Sequence, residues 1–217
     1  MILISFIIDE IFITKMAANL EFSMDEFKVM HDAQFFIHKK NISDKVIANF
    51  SLLNTKIEVL KSSMLSAKAC SVFKQGKISR GENYELLPYF ILDNPGVFNG
   101  KDVCAFRVMF WWGNFYSCTL HVSGIYLDLL AGKLESLTSN TGGYYFCTNK
   151  DQWQHHFRED NYQLIDENSF RMVEGYTKEN VFIKIAFKKP LSDFENFEKE
   201  VLVFLSKVFY QLEFKNQ

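Results

Sequence analysis

The densest group of residues able to do chemistry lies in one stretch of the chain. Ser117, Thr119 and His121 alternate along a β-rich run, and a second such run just before it holds Phe106, Phe110 and Trp112. Gly113-Asn114 between them predicts a two-residue hairpin turn. That turn sets Trp112 opposite Phe115, Phe110 opposite Ser117, Val108 opposite Thr119 and Phe106 opposite His121. Alternate side chains of a strand share a face, so an apolar wall is expected beside a file of hydroxyls and an imidazole, the chemistry of a small-molecule or peptide cleft. The simpler explanation is that neighbouring elements satisfy these polar groups. Arg107 belongs to the other face, with Met109, Trp111 and Leu120. A cation in an apolar strand must be paired or reach water, so Arg107 reads as half of an ion pair to a helix acid or as an anion clamp.

Five histidines and four cysteines are present, but their spacing is poor for a metal site. His31 and His38 are two helical turns apart, about 10 Å along the axis, too far to chelate one ion. His155 and His156 are adjacent, and Cys118 and His121 fall on opposite faces of a strand. Neither a G-x-S-x-G elbow nor a Gly-rich phosphate loop occurs, and Thr141-Gly-Gly143 reads as a loop. No metal or cofactor is expected. Glu159-Asp160 and Asp166-Glu167 read as solvated loop acids. An enzyme would need acid and base groups that converge only in space, with His121, Glu82 or Asp93 as candidates.

The elements that must position these residues follow from pattern. Ser23-Met-Asp-Glu26 is a capping box, and a helix is expected from about Met24 to His38, with a turn at Lys39 to Ile42 and a second helix capped by Ser43. Val46, Phe50, Leu53, Ile57, Leu60 and Met64 then alternate steps of four and three, the spacing of a helical packing seam. The seam serves either packing within the domain or a homodimer of such hairpins. From Ala69 onward short apolar runs are broken by Gly76, Gly81, Pro88 and Asp93-Asn-Pro-Gly96, read as turns between strands, with Pro88 marking an edge strand. Ile125 to Leu134 reads as a short helix, and Asp151 to Phe157 as a helical turn that groups Trp153, His156 and Phe157. Phe170 to Tyr176 and Val181 to Lys188 read as a hairpin with Lys184 and Lys188 on a wet face. Pro190 and a second capping-box pattern, Ser192 to Glu195, open a closing helix carrying Phe194, Phe197, Val201, Phe204, Val208 and Leu212.

The expected fold is α+β: an N-terminal helical hairpin, a largely antiparallel sheet and a C-terminal helix packed on it. The domain is expected to span residues 16–217. Residues 1–15 are apolar but have no basic n-region, and Asp9 and Glu10 interrupt them. They read as an extension preceding a natural start at Met16, rather than as a signal peptide or membrane span.

Composition narrows the function classes. Acids and bases are interleaved, with a net charge of −2, which argues against nucleic acid. Unpaired cysteine spacing without a secretory signal suggests a reducing, cytoplasmic setting. Aromatic residues make up 16% of the chain, enough to fill a core or to line a cleft. The sequence therefore reads as a soluble binding or interaction domain with an aromatic and polar cleft on the sheet, comprising Phe106, Phe110, Trp112, Ser117, Thr119, His121 and Arg107. The alternatives are the enzyme above and homodimeric assembly through the helical seam.

Overall fold

The computed structural model describes residues 21–66, 70, 73, 76–129, 143–166 and 182–213. The fold is α+β: helices α1 (Met24–His31) and α2 (Ala33–Met64) precede strands β1 (Lys77–Tyr84), β2 (Leu87–Asn99), β3 (Asp102–Trp111), β4 (Phe115–Ser123), β5 (Tyr144–Cys147), β6 (Tyr162–Leu164) and β7 (Phe182–Pro190), and helix α3 (Phe197–Glu213) closes the chain. The expected starts at Met1 and Met16, the run Phe170 to Tyr176 and the side chain of Leu212 lie outside the described residues.

The chain divides into two compact units, Met1–Lys45 and Val46–Gln217. In the first, the capping box forms as expected: Ser23 Oγ accepts from the Glu26 amide, and Glu26 accepts from the Ser23 amide at 2.7 Å. The helix break does not fall at Lys39 to Ile42. It falls at Asp32, whose carboxylate accepts from the Phe35 amide, and α2 then runs without interruption through the expected turn. Lys39 to Ile42 contain neither Gly nor Pro to stop a helix. Ser43, read as a cap, instead donates to the carbonyl of Lys39 one turn back.

The second unit is built on a seven-stranded sheet in the order β1-β2-β3-β4-β7-β5-β6, with every neighbouring pair antiparallel. Its inner face carries Phe90, Leu92, Phe106, Val108, Phe110, Tyr116, Cys118, Leu120, Ile183, Ile185 and Phe187. These pack with Val46, Phe50, Leu53 and Ile57 of α2 and Phe197, Val201, Phe204 and Val208 of α3. The Phe50 and Phe197 rings stack 5.7 Å apart. The periodic seam of α2 thus packs into the core at Val46, Phe50, Leu53 and Ile57.

Several local readings are corrected. Asp93-Asn-Pro-Gly96 is a bulge inside β2, not a turn, because the pairing with β3 shifts register between Asp93 and Gly96. Asn94 there is fully buried and donates to Asn54 and Glu58, while Lys61 donates to Asn94 and Glu58. Pro88 is not on an edge. It lies near the start of β2 where the pairing with β1 also shifts, so no ladder bond needs its missing N–H. The closing helix starts at Phe197 after a 3-10 turn, Leu191–Asn196, with no side-chain cap from Ser192. Residues 151–157 form no helix, and Gly124–Leu129 form a 3-10 turn rather than an α-helix.

Candidate functional site

The β3–β4 hairpin is real, but its register differs by one residue from the expected one. Trp111 and Phe115 end the strands. The Asn114 amide donates to the Trp111 carbonyl at 3.1 Å, and Gly113 adopts φ of +69°, the left-handed conformation that glycine takes at no steric cost. The loop therefore has three residues, Trp112, Gly113 and Asn114. Phe110 faces Tyr116, Arg107 faces Thr119 and Ala105 faces His121. A one-residue slip turns every side chain of one strand to the opposite face. Phe106, Phe110 and Trp112 accordingly join the inner core, while Ser117, Thr119 and His121 stand on the outer face with Arg107. The aromatic wall and the polar file expected to share one cleft are on opposite sides of the sheet.

The outer face is not wet. Residues 148–161, the connection between β5 and β6, fold over it as a strap, closed at its base by the Thr148 amide donating to the Asn161 carbonyl. Loops longer than about 12 residues without structure of their own are uncommon in compact domains and usually functional. Asx turns shape this one: the Asp151 amide donates to Asn149 Oδ1, and the Trp153 amide to Asp151 Oδ1.

Beneath the strap lies a polar layer. Arg107 forks onto Asp93, with Nε 2.7 Å from Oδ1 and Nη2 2.9 Å from Oδ2, and its Nη1 is 3.0 Å from His155 Nε2. The ion pair expected of Arg107 exists, but its partner is a strand acid rather than a helix acid. Because a guanidinium only donates, His155 Nε2 must accept, which requires a neutral ring. Burial, and then the charges of Arg107 and Lys184, hold the His155 pKa well below its ordinary value. His121 Nε2 lies 2.9 Å from Gln152 Oε1 of the strap, and burial with nearby Lys184 pushes its pKa down to about 3. The Tyr84 hydroxyl accepts from the amides of both His155 and His156.

Lys184 stands directly across from His121 in the β4–β7 pairing. The strand pattern suggested a solvent-facing lysine, whereas the strap leaves it 1% exposed. Its Nζ donates to the Gln154 carbonyl at 2.5 Å and sits 5.1 Å above the Tyr162 ring. Burial lowers its pKa to about 8. Tyr162 stacks on Phe157 at 4.4 Å, and its buried hydroxyl has Thr119 as its side-chain neighbour. Of the grouping Trp153, His156 and Phe157, Trp153 packs edge-on to His121, Phe157 joins Tyr162 and His156 is buried.

Of the seven residues singled out from sequence, the structure brings together Arg107, Ser117, Thr119 and His121 on one face and removes Phe106, Phe110 and Trp112 to the core. Lys184, His155, Tyr84 and Tyr162 complete the layer. None carried a recognisable motif, because they reach the layer from four separate segments of the chain. Glu82 belongs to edge strand β1, and Asp93 is committed to Arg107. Among the described residues no three His, Cys, Asp or Glu side chains gather to hold a metal, and no helix is long and apolar enough to cross a membrane. No family model, curated protein or solved structure matches the chain.

Proposed function

We propose that this chain is a binding domain for a small molecule bearing an anionic group, taken up on the outer face of the sheet beneath the 148–161 strap, with Lys184 as counter-ion. The observation that carries this reading is Lys184 itself. A buried charge is costly unless it is paired, yet among the described residues the oxygen its ammonium meets is a backbone carbonyl, and the acid that acts on it, Asp151 of the strap, accepts from the Trp153 amide and the Gln154 side chain instead. The outer face holds three cations: Asp93 compensates Arg107 through both oxygens, Lys188 lies over the Phe115, Tyr145 and Phe157 rings, and Lys184 is the one 1% exposed. The two nearest imidazoles are neutral. A ligand carboxylate or phosphate would supply a negative charge in direct contact with this ammonium.

The free thiols Cys70, Cys104, Cys118 and Cys147, three of them buried, support a reducing compartment such as the cytoplasm. The interleaved charges speak against a nucleic-acid partner. The test is a thermal-shift screen of the protein and its Lys184→Met variant against carboxylates, phosphorylated metabolites and neutral sugars. An anion that stabilises the wild type by mass action and leaves the variant unshifted supports the site. Equal shifts in both proteins, or a response to neutral ligands alone, would overturn it.

A further inference from the structure

The first unit presents a second surface, independent of the ligand site. Phe22, Met24, Phe27, Val29 and Met30 in and before α1, and Phe35, Phe36, Ile37 and Ile42 in the first turns of α2, are each between 40% and 74% exposed, and α1 buries no side chain at all. Single exposed apolar residues are ordinary, but a contiguous run of them marks an interaction site. An eight-residue helix is also too short to be stable alone in water, and what holds α1 is local: its capping box, the Lys28–Asp25 pair and the Phe22–Phe27 and Phe27–His31 contacts.

Three features select the occupant. Nine large side chains, each about half exposed from roughly 200 Å², present on the order of 900 Å², close to the ~800 Å² per partner that a standard stable interface buries. Charge is split along the segment. Residues 21–32 hold Glu21, Asp25, Glu26 and Asp32 against Lys28, a net −3, while residues 33–45 hold Lys39, Lys40 and Lys45 against Asp44, a net +2. A segment negative at one end and positive at the other complements itself when two copies lie antiparallel, the arrangement that a two-fold axis produces. Phe35 and Ile42 also continue, in steps of seven and four, the stripe that becomes buried from Val46 onward.

We infer that residues 22–42 form the interface of a two-fold homodimer in which the segments of two chains pair antiparallel. Sedimentation velocity of the full chain at micromolar concentrations should give twice 25.4 kDa, that is 50.8 kDa. Phe27→Asp with Phe36→Asp should give 25.4 kDa with an unchanged melting temperature. Two charge-reversed proteins, Glu21→Lys/Asp25→Lys and Lys39→Glu/Lys40→Glu, should each be monomeric alone and dimerise when mixed. A wild type that is monomeric throughout overturns the inference, and it does so equally if that monomer binds lipid vesicles or a different protein. A dimer that survives the Phe27/Phe36 substitutions overturns it as well.

Discussion

Arg158 grips Glu85 through two parallel hydrogen bonds of 2.7 and 2.6 Å, and so ties the strap to the turn between β1 and β2. Both side chains are largely exposed, and exposed ion pairs contribute little to global stability. Their geometry nevertheless places the tie beside the Tyr84 hydroxyl that holds the amides of His155 and His156. Arg158→Ala should leave the melting temperature nearly unchanged while speeding hydrogen exchange at those two amides several-fold. Unaltered exchange would mean that the strap is held by its buried contacts alone.

The same turn is strained in an identifiable way. Glu85 and Leu86 have φ of 49° and 68°, a pair of left-handed residues of the kind that two-residue hairpin turns need and that glycine or asparagine ordinarily supplies. Leu86 is 88% exposed, so its side chain gains nothing from burial. Leu86→Gly should therefore stabilise the protein by up to about 1 kcal/mol, read as an upward shift in chemical denaturation midpoint. Destabilisation would show that the left-handed pair is not a source of strain.

Neutral imidazoles in the polar layer make the protein acid-sensitive. The folded-state pKa values of His121 and His155 lie below that of an ordinary histidine, His121 at about 3. As pH falls below about 6.5 the unfolded chain takes up protons that the folded chain refuses, so stability is lost progressively from there toward pH 3. His121→Gln keeps a polar group and removes one such proton. It should flatten the stability-versus-pH slope between about pH 6 and 4 by about 1.4 kcal/mol per pH unit, measured by urea unfolding. Identical slopes would show that His121 is protonated in the folded protein.

Much of the fold was legible from period and punctuation. The capping box at Ser23, the seam from Val46 to Ile57, the hairpin flanking Gly113 and the apolar stripe of α3 each arise from local chemistry, and each stands in the structure. What sequence could not supply was register. Whether a Gly-Asn pair is the whole turn or two-thirds of it depends on where the flanking ladder bonds close, and that one residue moved Ser117, Thr119 and His121 to the other face. Cover was equally invisible: Lys184 alternates with apolar residues just as a wet-face lysine does, and only the strap, which ends at Asn161, 23 positions upstream, buries it. The turn expected at Lys39 was the weakest step, since polar residues without Gly or Pro are no obstacle to a helix.

The α2 seam provides a direct contrast with the exposed segment before it. Phe50 is fully buried against Phe197, and truncating a buried phenylalanine costs about 3–5 kcal/mol. Phe50→Ala should lower stability by that amount while leaving the sedimentation mass of the folded protein unchanged. A change in mass with little change in stability would return the seam to the role of an interface.

Lys184 gives the sharpest pH signature. With its pKa lowered from 10.5 to about 8, the unfolded chain binds a proton that the folded chain releases between those values, so this residue destabilises fully below about pH 8 and is relieved as pH rises toward 10.5. The buried thiols act in the opposite sense over part of the same range, because burial pushes Cys104 up to about 12 and Cys118 higher than its ordinary value. Wild type and Lys184→Met share those thiols, so the difference between their stabilities isolates the lysine. Lys184→Met should be the more stable protein at pH 7, by at most on the order of 3 kcal/mol, less what is lost when the Gln154 carbonyl is left without its donor. That advantage should shrink between about pH 8 and 10.5. Parallel curves across this range would mean that Lys184 keeps its ordinary pKa, and with it would go the unpaired buried cation on which anion binding rests.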